Sequence, residues 1–131
     1  MRGDVVTSPP PGLLNMDFIF IDEMRVDAHV GIFEREKVAP QTLEISLTFG
    51  VPDEAAQDDD INKTIRYDVV IERIRSELAA RHFNLLETLG EYVIGLLLNE
   101  FGAPWVKISV AKIGIMKGVR RVGVQIERSR V

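Results

Sequence analysis

Thr42-Leu43-Glu44-Ile45-Ser46-Leu47-Thr48-Phe49-Gly50-Val51 alternates apolar and polar side chains without a break from Leu43 to Phe49. Successive side chains of a strand point to opposite faces. The stretch therefore sets Leu43, Ile45, Leu47 and Phe49 on a buried face and Glu44, Ser46 and Thr48 on a wet one, as in an antiparallel sheet covered on one side. Upstream, from Asp17 to Val30, β-rich apolar residues run as Phe18-Ile19-Phe20-Ile21 and then alternate as Met24, Val26, Ala28 and Val30, which predicts a long first strand. Gly31 follows, where a backbone needing positive φ can turn, and residues 31–41 read as a polar loop with Pro40 near its end.

Downstream, residues 52–63 form an acidic connection, with Asp58-Asp59-Asp60 expected to be solvated. Asp68 is then a suitable N-cap for a helix that carries Ile71, Ile74 and Leu78 inward and Glu72, Arg73, Arg75 and Glu77 outward. A second helix is expected from about Leu85, with Leu86, Leu89, Val93, Leu96 and Leu97 at helical spacing until Gly102 and Pro104 stop it. Val106, Ile108 and Val110 alternate over residues 105–112, and Val122, Val124 and Ile126 repeat the pattern near the C-terminus. The order is ββααββ, without repeats. It predicts an α+β fold in which an antiparallel four-stranded sheet carries two helices on one face. Such a sheet leaves a second face and two edges open, and joining edges between subunits into an oligomeric barrel would close both, so a homo-oligomer is expected.

Composition narrows the function. The chain has 131 residues, 46% hydrophobic and 27% charged, which suits one globular domain over residues 17–131 behind a loose N-terminal tail, residues 1–16, that contains Pro9-Pro10-Pro11-Gly12. Met16 could be the natural start. A formal net charge of -4 provides no basic stripe for phosphates, so no nucleic acid partner is expected. There are no cysteines and only two histidines, His29 and His82, so neither disulfides nor a usual catalytic zinc site is expected, and no metal or other cofactor is implied. No apolar run is long enough to span a bilayer and no secretory signal is recognisable, which makes a cytoplasmic location the default.

Asn84-Leu85-Leu86-Glu87 sets a carboxylate in the first turn of an apolar helix. A helix start offers unpaired N–H groups and a positive dipole end, so Glu87 stays ionised while neighbouring amides, such as that near Leu86, are free for a ligand. A flat heterocycle with two adjacent N–H donors and a carbonyl beside them fits this arrangement, and the 2-amino-4-oxo edge of a pterin has that pattern. The same glutamate could equally serve only the helix dipole. Lys112 shares the parity of Val106, Ile108 and Val110, so it is directed toward the buried side at the strand end, where desolvation would favour its neutral amine. A lysine that snorkels out is the plainer reading. Glu34-Arg35-Glu36-Lys37 reads by itself as a solvated loop tip, Tyr67 as a packing plug, and His82 as a charge placed at the negative end of the first helix.

Taken together, these positions resemble the dihydroneopterin aldolase family. Its pattern has a glycine followed by a loop glutamate, a tyrosine before the first helix, a Leu-Leu-Glu helix start and a strand-ending lysine. Here these read Gly31 with Glu36 and then Gln41, Tyr67, Leu85-Leu86-Glu87, and Lys112, followed by a last strand Gly123-Val124-Gln125-Ile126-Glu127-Arg128. One departure is Ile113, where the family often has proline after the lysine. The resemblance implies the tunnelling fold, with four-subunit rings stacked into an octamer and active sites between subunits. It further implies metal- and Schiff-base-independent retro-aldol cleavage of 7,8-dihydroneopterin in folate biosynthesis. Glu87, Leu86, Glu36 and Tyr67 would bind substrate, and Lys112, Tyr67 and Glu36 would act in catalysis. Two other readings stay open: an epimerase of dihydroneopterin triphosphate or dihydromonapterin, for whose triphosphate Lys117, Arg120 and Arg121 could supply cations although they read more plainly as an exposed loop before an edge strand, and a non-catalytic pterin-binding ring protein.

Overall fold

The alternation of residues 42–51 becomes the central strand of a twisted sheet. A computed structural model of the chain describes residues 16–130; apart from Met16, the expected N-terminal tail lies outside them. The elements are β1 (Asp17–Val30), α1 (Glu34–Val38), β2 (Gln41–Val51), α2 (Glu54–Asp58), a 3-10 turn (Ile61–Lys63), α3 (Tyr67–Ala80), β3 (His82–Phe83), α4 (Leu86–Gly95), a wider π turn (Leu96–Glu100), β4 (Trp105–Met116) and β5 (Val119–Ser129). The sheet has five strands in the order β3-β1-β2-β4-β5, not four. β1, β2, β4 and β5 are mutually antiparallel, and β3 adds a parallel pairing with the end of β1, His29 opposite His82 and Val30 opposite Phe83. The sheet is therefore mixed. A two-residue strand carries no periodic signal, which is why alternation could not announce it.

β1 changes parity midway. Ile19 and Ile21 face the same side as Met24, Val26, Ala28 and Val30 only because one extra residue is inserted between Ile21, opposite Leu47, and Met24, opposite Ile45. This is a β-bulge, with Glu23 at φ 53 and its amide donating to the Ser46 hydroxyl at 3.0 Å. On the covered face, Val26, Leu43, Ile45, Leu47, Phe49, Ile108 and Val110 are all buried.

Both long helices lie on that face. α3 buries Val70, Ile74 and Leu78, with Ile71 only partly covered, and α4 buries Leu89, Gly90, Val93 and Ile94. Gly90 is where α4 comes closest to the sheet: a Cβ there would sit 2.8 Å from the Ile126 side chain and 3.9 Å from that of Ile108. α3 begins two residues earlier than expected. Its N-cap is Arg66, and Asp68 lies inside the first turn, ion-paired to Arg66 at 2.7 Å. Residues 31–41, read as a loop, hold the helical turn α1, and residues 52–63, also read as a loop, hold α2 and the 3-10 turn. Among the described residues, no helix is long and apolar enough to cross a membrane.

The expected wet face of β2 departs from the pattern at one position. Glu44 is only 5% exposed, because Arg25 on β1 and Arg121 on β5 close over it at 3.4 Å and 2.7 Å. Ala111 is the β4 residue opposite Glu44, and Arg121, on β5, reaches across β4 to the carboxylate. The alternation identified the face correctly and could not show the cross-strand cover.

Candidate active site

β4 carries Lys112 at the end of its buried row, opposite Leu43 of β2 and Val122 of β5. Its ammonium does not snorkel into solvent. The side chain is 14% exposed, and Nζ lies 2.8 Å from Oε2 of Glu36, whose side chain is 13% exposed. Lys112 thus meets a carboxylate rather than the apolar pocket that parity alone suggested.

Glu36 is brought there by the single turn of α1. It is the third residue of that helix, and its side chain folds back so that Oε1 accepts the Phe33 amide at 3.2 Å, half of a capping box. Gln41, the first residue of β2, donates through Nε2 both to Oε2 of Glu36 at 3.3 Å and to the Val30 carbonyl at 2.6 Å. The Lys112 ammonium holds the Glu36 carboxyl below its usual range; desolvation opposes it, and the Phe33 amide and Gln41 support it. The pair is therefore ionised at neutral pH on the Glu36 side. Gln41 was not singled out for the site from the sequence beyond its place after Glu36, since a glutamine at a strand start has no periodic or charge signature.

Gly31 makes room for this arrangement. Its φ is +136, and a Cβ on it would lie 2.0 Å from Oε1 of Glu36, so the carboxylate rests where any other residue would put its side chain. Both polar groups of the Gly31 backbone are tied to β3: its N–H donates to the Phe83 carbonyl at 2.9 Å, and its C=O lies 3.0 Å from Nε2 of His82. His82 thus belongs to β3, not to the end of α3, whose C-cap is Arg81.

β3 leads through Asn84 and Leu85 into α4. Leu85 is the N-cap, in extended conformation, so Leu86 and Glu87 are the first and second helical residues. The amides of Leu86 and Glu87 have no intrahelical partner, because the Leu85 carbonyl is taken by Leu89 and nothing precedes it in the helix. Glu87 is exposed and, among the described residues, makes no ion pair. A helix start with free amides and a free carboxylate is thus held, through β3 and Gly31, beside the Glu36–Lys112 pair.

Tyr67 is not brought to this cluster. It is the first residue of α3 and 60% exposed. α3 has 14 residues and ends two residues before His82, so at about 1.5 Å per residue Tyr67 sits roughly 20 Å away, at the opposite end of the domain. Arg121 is not beside Lys112 either. It is one residue from Val122, hence on the opposite face of β5, and is engaged by Glu44. Among the described residues, no group of three or more His, Asp and Glu side chains is arranged to hold a metal ion.

The family model described as dihydroneopterin aldolase matches residues 19–127. A dihydroneopterin aldolase of Escherichia coli K12 is 34% identical over 118 residues, spanning 86% of this chain and 93% of that protein. One from Streptomyces coelicolor is 32% identical over 119 residues, covering 88% of this chain and all of its own length. The crystal structure of the E. coli dihydroneopterin aldolase in complex with neopterin superposes with a TM-score of 0.82 at 32% identity, covering 87% of this chain and all of that one.

Proposed function

This chain belongs to the dihydroneopterin aldolase family, and on that premise we infer that it cleaves 7,8-dihydroneopterin, in folate biosynthesis, to 6-hydroxymethyl-7,8-dihydropterin and glycolaldehyde. The observation that supports a chemical role most directly is the half-buried Glu36–Lys112 pair set beside the open first turn of α4. The pterin edge docks on α4: its two N–H donors meet the Glu87 carboxylate, and its ring carbonyl takes an amide near Leu86.

Cleavage breaks the bond between the first two side-chain carbons. The 2′-hydroxyl loses its proton as that carbon becomes the aldehyde of glycolaldehyde, and the bonding electrons pass into the ring imine. The substrate thereby supplies the sink that a Schiff base or a metal would otherwise provide. Protonation of the resulting enamine at the remaining side-chain carbon gives the hydroxymethyl product. Lys112 moves the proton, directly or through a water, and Glu36 holds the ammonium toward the polyol.

Tyr67 acts near the same side chain from a neighbouring subunit, because its distance from the Glu36–Lys112 pair leaves it no site within its own chain. The working unit in this reading is a homo-oligomer of the domain 17–131. The outer edge of β5, and of β1 before His29, pair across subunits to close a ring of four in the tunnelling fold, and two rings stack into eight. Arg121, spent on Glu44, lends nothing to the triphosphate epimerase alternative.

The test is incubation with 7,8-dihydroneopterin in the presence of a chelator, following glycolaldehyde and the monapterin isomer by chromatography. Sustained glycolaldehyde release is expected. Lys112→Ala should lower kcat by about two to four powers of ten, as removal of a positioned acid–base group does, while Glu87→Ala should act mainly on KM. Isomer without glycolaldehyde, or loss of activity to chelator, would contradict the reading.

A further inference from the structure

We propose that His82 is a positioning residue for the Glu36–Lys112 pair, acting through the carbonyl of Gly31. The proposal rests on the aldolase reading for its kinetic consequence and on geometry for the rest. A carbonyl can only accept, so the 3.0 Å contact requires a proton on Nε2 of His82. With the Gly31 amide already donating to Phe83 at 2.9 Å, His82 fixes the second polar group of the same residue. That residue is the one whose Cα the Glu36 carboxylate overlies.

The consequence follows along the chain. The Gly31 carbonyl belongs to the peptide that leads into Ile32 and Phe33, and the Phe33 amide is one of the donors that aims Glu36. Glycine at φ +136 has broad freedom, so without an external anchor this peptide can rotate and carry the Phe33 amide away from the carboxylate. Glu36 would then leave Lys112 imperfectly held, and the proton transfer would start from the wrong geometry. The pterin edge, docked on α4, is untouched by this rotation because the backbone bond between Gly31 and Phe83 persists. His82 is itself exposed, so its replacement removes an anchor and not a piece of core.

The experiment compares wild type with His82→Leu, similar in bulk but without a donor, and His82→Gln, which restores an N–H. Misplacement of a reacting group by about 1 Å can cost 10²-fold, and a loosened rather than displaced pair is expected to cost about tenfold in kcat with KM within twofold. His82→Gln should recover to within about threefold of wild type, with both variants melting close to the wild-type temperature. Wild-type kcat in His82→Leu, or no recovery in His82→Gln, overturns the proposal. A crystal structure of His82→Leu gives a reading independent of turnover. A turned Gly31–Ile32 peptide with Glu36 and Lys112 beyond hydrogen-bond distance supports the role, and an unchanged pair refutes it. Failure of wild type itself to release glycolaldehyde counts against the aldolase reading alone.

Discussion

Gly31→Ala should be far more damaging than its place in a short loop suggests. The new Cβ would lie 2.0 Å from Oε1 and 2.2 Å from Cδ of Glu36, whereas ordinary contact begins near 3.4 Å. The carboxylate must therefore retreat by well over an ångström, and no such movement keeps the Lys112 ammonium at 2.8 Å, the Phe33 amide at 3.2 Å and the Gln41 amide at 3.3 Å all in place. Alanine at φ +136 adds backbone strain of about 1–3 kcal/mol. Together with the disrupted pair, a loss of about 3 kcal/mol is expected, which at roughly 4 °C per kcal/mol for a domain of this size lowers Tm by about 10–12 °C. Activity should fall about 10²-fold. The reasoning is checked by a double-mutant cycle with Glu36→Ala, using denaturant unfolding. If the carboxylate is what the methyl group strikes, Gly31→Ala in the Glu36→Ala background costs only the strain, and the coupling is at least about 1 kcal/mol. Costs that agree in the two backgrounds within about 0.5 kcal/mol would refute it.

Two further outcomes are expected. Glu77 accepts hydrogen bonds from Tyr92, Arg81 and Arg73, and these pull its carboxyl down from 4.5 to about 2. A depressed carboxyl contributes stability that is complete above its unfolded value and disappears as pH falls through the folded one. Wild type should therefore lose stability between pH 4.5 and 2 more steeply than Glu77→Gln in thermal melts over that range, and parallel profiles would count against the network. Co-expressing Lys112→Ala with Tyr67→Phe, each inactive alone, should restore about a quarter of wild-type activity, because random mixing pairs an intact lysine with a neighbour's intact tyrosine in one site of four. No recovery in co-purified mixed oligomers would place both side chains in one subunit.

The parts of the structure that were legible in the sequence are those with a repeating signal. The alternation of β2 and β4, the helical spacing of α3 and α4, and the parity that turned Lys112 inward all reflect periodicities imposed by backbone geometry. The first strand was read as one continuous element, and only its pairing with β2 shows the bulge after Ile21. What stayed hidden depends on contacts between distant segments. β3 is too short to alternate, and Glu34-Arg35-Glu36-Lys37 looked like a solvated tip because its aim is set by Lys112, 76 residues later. Glu44 looked wet because its cover comes from Arg25 and Arg121 on other strands. His82 looked like a helix-end charge because its carbonyl partner lies 51 residues earlier. Glu36 and Tyr67, whose local sequences say little, were singled out by the family pattern alone; the fold sets Glu36 on Lys112 and leaves Tyr67 away from that pair.

The central claim is that α4 grips a pterin by its pyrimidine edge while Lys112 faces the polyol. A crystal of this protein soaked with neopterin tests it most directly. The account predicts the 2-amino-4-oxo edge on the Glu87 carboxylate and the Leu86 amide, with the side-chain hydroxyls within hydrogen-bond reach of Lys112 Nζ and a neighbouring subunit's Tyr67. Neopterin bound elsewhere, or bound on Glu87 with its polyol turned away from Lys112, would contradict it.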